Sequence, residues 1–213
     1  MTAYAADVAA LTRKDLLLEL RSRDTLPAML LFVVTALVVF HFALPADAGD
    51  RAEAGLLWIA IVFTALLGLT RVFAAEREHG LLDALTLAPV DRSAIWAAKT
   101  LAVLAFLAVV EAVALPAYAL FFQPVTWELV TAVALADVGI AAIGALLAAI
   151  ALASRSRELL LPLLFLPLVI PVVIGGVGAS VAGNPASFLG FLALYDAVFA
   201  ILAWASFEYV VTE

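Results

Sequence analysis

Six long apolar stretches dominate the chain. Each is about the twenty residues needed to cross a hydrocarbon core roughly 30 Å thick at about 1.5 Å per helical residue. They run Leu26–Leu44, Ala54–Ala75, Thr100–Phe122, Leu129–Ala153, Leu159–Ala182 and Phe188–Tyr209, each closed by charged or turn-forming residues. Among 213 residues 67% are hydrophobic and 14% charged, where a soluble domain carries roughly 45–50% and about 25%. One globule of this size could not hide that excess, so a soluble enzyme and a disordered chain are both excluded. The sequence predicts an all-α integral membrane protein: six transmembrane helices, an N-terminal interfacial helix over 1–24 and a cytoplasmic coupling segment over 76–99, in one permease domain spanning 1–213.

Charge sets the orientation, because loops rich in Lys and Arg stay in the cytoplasm. Arg13, Lys14, Arg21, Arg23, Arg71, Arg77, Arg92, Lys99, Arg155 and Arg157 fall on one side, and Arg51 alone on the other. Both termini are therefore expected in the cytoplasm. Ala46-Asp47-Ala48 imitates a signal-peptidase site, but the preceding apolar run exceeds the roughly 7–15-residue core of a signal peptide, so an uncleaved first span is expected. The net charge of −7 argues against nucleic acid as a partner. With no cysteine, disulfides, zinc-thiolate sites and iron–sulfur clusters are excluded.

Two segments outside the spans carry information. The arm Ala6–Asp24 has no helix breaker and predicts a helix ending where Pro27 opens the first span. Val8, Leu11 and Leu18 share one face while Leu16, Leu17 and Leu20 lie on others. Two readings stand level: an arm packed against other helices, and a basic anchor that only enforces topology. The connection Glu76–Lys99 contains a short helix, Leu81–Ala88, bracketed by Gly80 and Pro89. Its leucine ridge, Leu81, Leu82 and Leu85 with Asp83 and the flanking Glu76 and Glu78, fits docking to a partner protein. The alternative folds these leucines back onto the protein's own membrane face.

Within the spans lie three acids, Glu111, Asp137 and Asp196. Each costs about 2.5–3.5 kcal/mol to insert, so each should face protein or a watery cavity. Proton relay is one reading. Hydrogen-bonded carboxyl groups holding helices together is favoured, since no basic residue sits at comparable depth. In the fourth span Ala141, Ala145, Ala149 and Ala153 line one face and invite close helix approach. The fifth contains Pro162, Pro167 and Pro171, then Gly175, Gly176 and Gly178, which predicts a kinked or broken, moving or cavity-lining element. His41 and His79 have no second ligand at helical spacing, so no metal or resident haem is expected. No catalytic residues are expected, and no G-x-x-x-x-G-K-[ST] loop occurs. ATP-driven work would need the nucleotide on another chain.

The basic arm, the six spans and an E-x-x-x-G-x-L-x-x-L segment (Glu76, Gly80, Leu82, Leu85) resemble membrane subunits of ABC exporters. More narrowly, the chain resembles the CcmB family of haem exporters in cytochrome c maturation. KDLLLELRSRDTLPAMLLF (Lys14–Phe32), the Arg71–Phe73 end of the second span, GLLDALTLAPVDRSAIWAAK (Gly80–Lys99) and LLLPLLFLPLVIPVVI (Leu159–Ile174) carry the likeness. The L-P-L-x-I-P run at Leu166–Pro171 is its most specific part. The resemblance implies a CcmA-like ATPase dimer docking on the Gly80–Pro89 helix. It also implies association with a CcmC-like haem-handling membrane protein, a CcmD-like small protein and a CcmE-like haem chaperone. Haem would be the substrate rather than a resident cofactor. No family role attaches to Glu111 or Asp137.

Three other functions compete with a haem-exporter permease. One is an ABC exporter of a lipid, drug or polysaccharide. The second is an assembly scaffold that transports nothing. The third is a proton-coupled carrier built on Glu111, Asp137 and Asp196, against which the charge pattern lacks an inverted repeat.

Overall fold

The structure, a computed structural model, describes residues 2–45, 47–73, 90–154 and 157–212. The described residues form seven helices: α1 (Thr2–Ser22), α2 (Thr25–Ala43), α3 (Asp50–Arg71), α4 (Arg92–Phe121), α5 (Trp127–Ala153), α6 (Arg157–Val181) and α7 (Ala186–Thr212). All but α1 are long and apolar enough to cross a membrane. A helix satisfies its own backbone hydrogen bonds, which is why a chain this apolar is built from helices alone across lipid.

Polar side chains set the helix ends. Arg23 takes a left-handed backbone, φ 56°, and its N–H closes α1 on Glu19 O at 2.8 Å. The Glu19 carboxylate then accepts from the free N–H groups of Thr25 at 2.7 Å and Leu26 at 2.9 Å, so one residue ends α1 and caps α2. Asp91 Oδ1 accepts from Ser93 N at 2.8 Å and starts α4. Residues 92–99 therefore form the first two turns of α4 rather than an irregular connection. At 30 residues, α4 is about 45 Å long and overshoots a hydrocarbon core at one end. Thr126 caps α5 by accepting from Leu129 N at 3.2 Å.

The centre is α5, whose most apolar window is 72% buried, against 17% for α2 and 22% for α7. It packs most extensively against α7 and α6, and also against α4. Ala141, Ala145 and Ala149 are buried as their spacing predicts. Aromatic residues with one polar atom tie neighbours together. Trp96 Nε1 of α4 donates to Ala142 O of α5 at 3.0 Å. Trp58 Nε1 of α3 donates to Ser180 Oγ of α6 at 3.1 Å, and Tyr195 of α7 donates to Leu168 O of α6 at 2.7 Å. Large apolar side chains such as Phe42, Leu120 and Leu163 point outward, Phe42 with 81% of its surface exposed. In water such a surface would aggregate; against lipid tails it costs nothing.

The arm is packed. Val8 is buried with Ala94 and Ala98 of α4, and Leu11 lies against them. Thr12 Oγ1, which donates to Val8 O at 2.8 Å, lies 3.4 Å from Ala98 O. Leu17, Leu18 and Leu20 are exposed, so α1 keeps an outward apolar face as well as an inward one.

Candidate functional site

Residues 74–89, which include the expected docking residues Glu76, Glu78, Gly80, Leu81, Leu82, Asp83, Leu85 and Pro89, lie outside the described residues. Their two stems are described: Val72 and Phe73 after α3, and Val90 and Asp91 before α4. Against the first stem, two turns into α4, lies Lys99, 3% exposed. A buried ammonium is tolerated only where its charge is paired and its donors are satisfied. Lys99 Nζ lies 3.0 Å from Asp15 Oδ2 of α1. It donates to Val72 O at 2.9 Å and stands 4.9 Å from the centre of the Phe73 ring, a cation–π distance. Lys14 Nζ holds the other Asp15 oxygen at 3.2 Å. One side chain of α4 thus joins α1 to the end of α3.

The three intramembrane acids are all buried: Glu111 8%, Asp137 5% and Asp196 6% exposed. Glu111 of α4 and Asp137 of α5 face one another within hydrogen-bonding reach. Such a contact needs a proton on one carboxyl, which then donates. Among the described residues, Glu111 Oε1 and Asp137 Oδ1 find no hydrogen-bond partner, and Asp196 lies against Gly139 of α5. The pair lines a cleft of about 470 Å³ between the outward faces of α4 and α5, walled by Ala108, Leu115, Pro116, Val130 and Val133. Lys99 is twelve residues before Glu111 on the same helix, about 18 Å along its axis. The acids are therefore brought together with each other and with no cation of their own helix.

Helix α6 runs through Pro162, Pro167 and Pro171 without a break, which leaves a kink as the form of irregularity that its prolines can take. Its glycines are seats for large side chains. A Cβ at Gly176 would collide with the Trp58 indole of α3, one at Gly178 with the Phe188 ring of α7, and one at Gly175 would come 2.8 Å from Leu192. None of these residues lines the Glu111–Asp137 cleft. At the opposite end from α1, His41 stands 5.2 Å from the Phe121 ring and 5.7 Å from the Phe122 ring. Nearby, Gln123 Nε2 donates to Asp50 Oδ1 at 3.0 Å. His79 falls outside the described residues.

Sequence reasoning missed Lys99 and Trp58 as functional or structural centres. The signal for Lys99 was Asp91-Arg92-Ser93, a helix start that puts Lys99 on the same face as Ile95, Ala102 and Phe106, all buried. For Trp58 no local signal exists, because its partner Gly176 is distant in the chain.

Comparison with known proteins places these features in a family. The model of the CcmB protein family matches residues 6–209. The chain is 31% identical to heme exporter protein B of Paracoccus denitrificans over 193 residues, 86% of this chain and 88% of that protein. It is 32% identical to heme exporter protein B of Bradyrhizobium diazoefficiens over 212 residues, 93% and 96% of the two chains. With the protein of the same name from Rhodobacter capsulatus it shares 31% over 172 residues, 78% and 79%. A six-span helical bundle matched from its arm to its last helix leaves one conclusion: the chain belongs to the CcmB family.

Proposed function

We propose that this protein is the permease subunit of an ABC-type haem exporter complex acting in cytochrome c biogenesis. The observation that carries the reading is the family match over residues 6–209, on a chain whose sequence has no phosphate-binding loop of its own. ATP is bound and hydrolysed by a CcmA-like partner; this chain is no enzyme and holds no resident cofactor or metal. It lies in the inner membrane with both termini in the cytoplasm, as the ten-to-one bias of Lys and Arg supports. Haem is the substrate. The ATP-driven step either moves haem itself or releases a haem-loaded CcmE-like chaperone from a complex with CcmC-like and CcmD-like proteins.

Force enters through residues 76–89. Leu81, Leu82 and Leu85 fill a groove on the ATPase, and Glu76, Glu78 and Asp83 meet basic groups at its rim. Apolar anchors dominate such interfaces, and rim charges mainly steer encounter. Burying one leucine is worth roughly 1.5–3 kcal/mol. Changing two therefore weakens docking by about two to four orders of magnitude if the effects add. The test is Leu82→Asp with Leu85→Asp, expressed with the whole complex. Normal insertion with loss of both ATPase co-purification and cytochrome c maturation is expected. Lowered abundance alone would place the leucines against the protein's own face. Normal abundance with the ATPase retained would remove the docking assignment.

A further inference from the structure

The Lys99 joint has a mechanical consequence. The first stem of the 74–89 connection ends on it, since Val72 and Phe73 touch the ammonium directly, and α4, which begins at the other stem, carries it about two turns further on. The third member is α1, through Asp15 at 3.0 Å. The arm also follows the second stem along Val8, Ala94 and Ala98, and Tyr4 Oη lies 3.3 Å from Ser93 Oγ. A lysine placed only to satisfy charge bias would reach water, as long cationic side chains do when they are free to. This one is sealed, its charge paired with Asp15 of α1 and one donor held by Val72 O just past α3.

We propose that Lys99 is a positioning residue. It locks α1, the end of α3 and the start of α4 into one body, so that displacement of the connection reaches the arm and the first three membrane helices together. The proposal rests on the docking reading above, because it needs the connection to be where force arrives. Neither stem then swings alone. The arm is the strut that holds them at fixed spacing, and the turn capped by Glu19 passes its motion straight into α2.

The test uses the full complex with its ATPase and four readouts: abundance, ATPase co-purification, ATP hydrolysis and c-type cytochrome formed. Lys99→Gln alone leaves Asp15 without one of its two cations and risks misfolding. The working variant is therefore Lys99→Gln with Asp15→Asn, which removes both charges and keeps a hydrogen-bonding pair. Abundance, docking and ATP hydrolysis should hold while cytochrome output falls roughly two- to thirtyfold, the range produced by losing one coupling contact. Lys99→Arg, which keeps the charge, should fall less. The chain has no cysteine, so Val8→Cys with Ala98→Cys offers a clean oxidative cross-link between arm and α4. Added to the neutral pair, the cross-link should restore output. Unchanged output in the neutral pair overturns the proposal. So does failure of the cross-link to rescue, or a cross-link that stops turnover when Lys99 and Asp15 are intact. Loss of abundance in the neutral pair makes the joint purely structural and overturns it too. A native complex that retains no ATPase would instead overturn the docking reading.

Discussion

Gly176→Ala is a one-methyl change whose cost follows from three contacts. The new Cβ would overlap the Trp58 indole, a side chain with no exposed surface. The ring cannot slide freely, because Nε1 donates to Ser180 Oγ at 3.1 Å, and that hydroxyl donates to Gly176 O at 2.8 Å. Overpacking a tight core costs about 1–3 kcal/mol, and a strained or lost indole hydrogen bond about 1 kcal/mol. Replacing a helical glycine by alanine returns roughly 0.5–1 kcal/mol. The net loss is about 1–3 kcal/mol, which for a chain of this size lowers Tm by roughly 3–10 °C. Gly190→Ala in α7 is the control, since no atom lies within 4 Å of its added Cβ and it should hold or raise Tm. Thermal unfolding of both purified variants in one mild detergent reads the difference. Combining Gly176→Ala with Trp58→Phe should cost less than the two changes summed, because the smaller ring vacates the contested space. If Gly176→Ala behaves like Gly190→Ala, the glycine is there to let α6 bend, and the account of α3 packing on α6 through that seat is wrong.

Two further outcomes concern the acids and the topology. Glu111→Gln and Asp137→Asn should largely retain complex assembly and cytochrome c maturation, since an amide keeps hydrogen-bonding capacity without carrying a proton; complete loss of maturation with normal assembly would favour proton transfer through the pair. Cysteines placed at Asp47 and Asn184 should react with an impermeant thiol reagent from outside the cell and one at Ser156 should not, and reversed labelling would invert the proposed orientation.

The spans are legible in sequence because bilayer thickness, not packing, sets their length. Their ends are less so. The second span was expected to run to Ala75, yet α3 ends at Arg71, and the third was expected from Thr100, yet α4 starts at Arg92. Apolarity marks where lipid begins, whereas a cap such as Asp91 marks where the helix begins, and here the two differ by two turns. Lys99 fell into that gap. As a loop residue it was one more charge in an orientation count, which weighs sign and side but not burial. The glycines of α6 are ambiguous in a different way. Backbone freedom and close approach use the same residue, and only the arrival of Trp58, Phe188 and Leu192 from other helices separates the two uses.

The acids show how depth alone can foretell a contact that residue type does not. Glu111 precedes the end of α4 at Phe121 by ten residues, and Asp137 follows the start of α5 at Trp127 by ten. A short turn joins those ends, so antiparallel helices carry both carboxyls to the same level, about 15 Å from the turn. Asp196 likewise follows the start of α7 at Ala186 by ten residues, and α7 begins at that same end because α6 returns the chain. Three carboxyls thus share one level, near half the thickness of a hydrocarbon core roughly 30 Å across. Equal depth does not make them one site. Glu111 and Asp137 turn toward each other across the α4–α5 seam, while Asp196 lies against Gly139 on the α5–α7 seam, and among the described residues no three acids or histidines gather closely enough to hold a metal ion. No lysine or arginine lies within a turn of either acid on its own helix, so a hydrogen-bonded link between α4 and α5 would need one of the two carboxyls protonated.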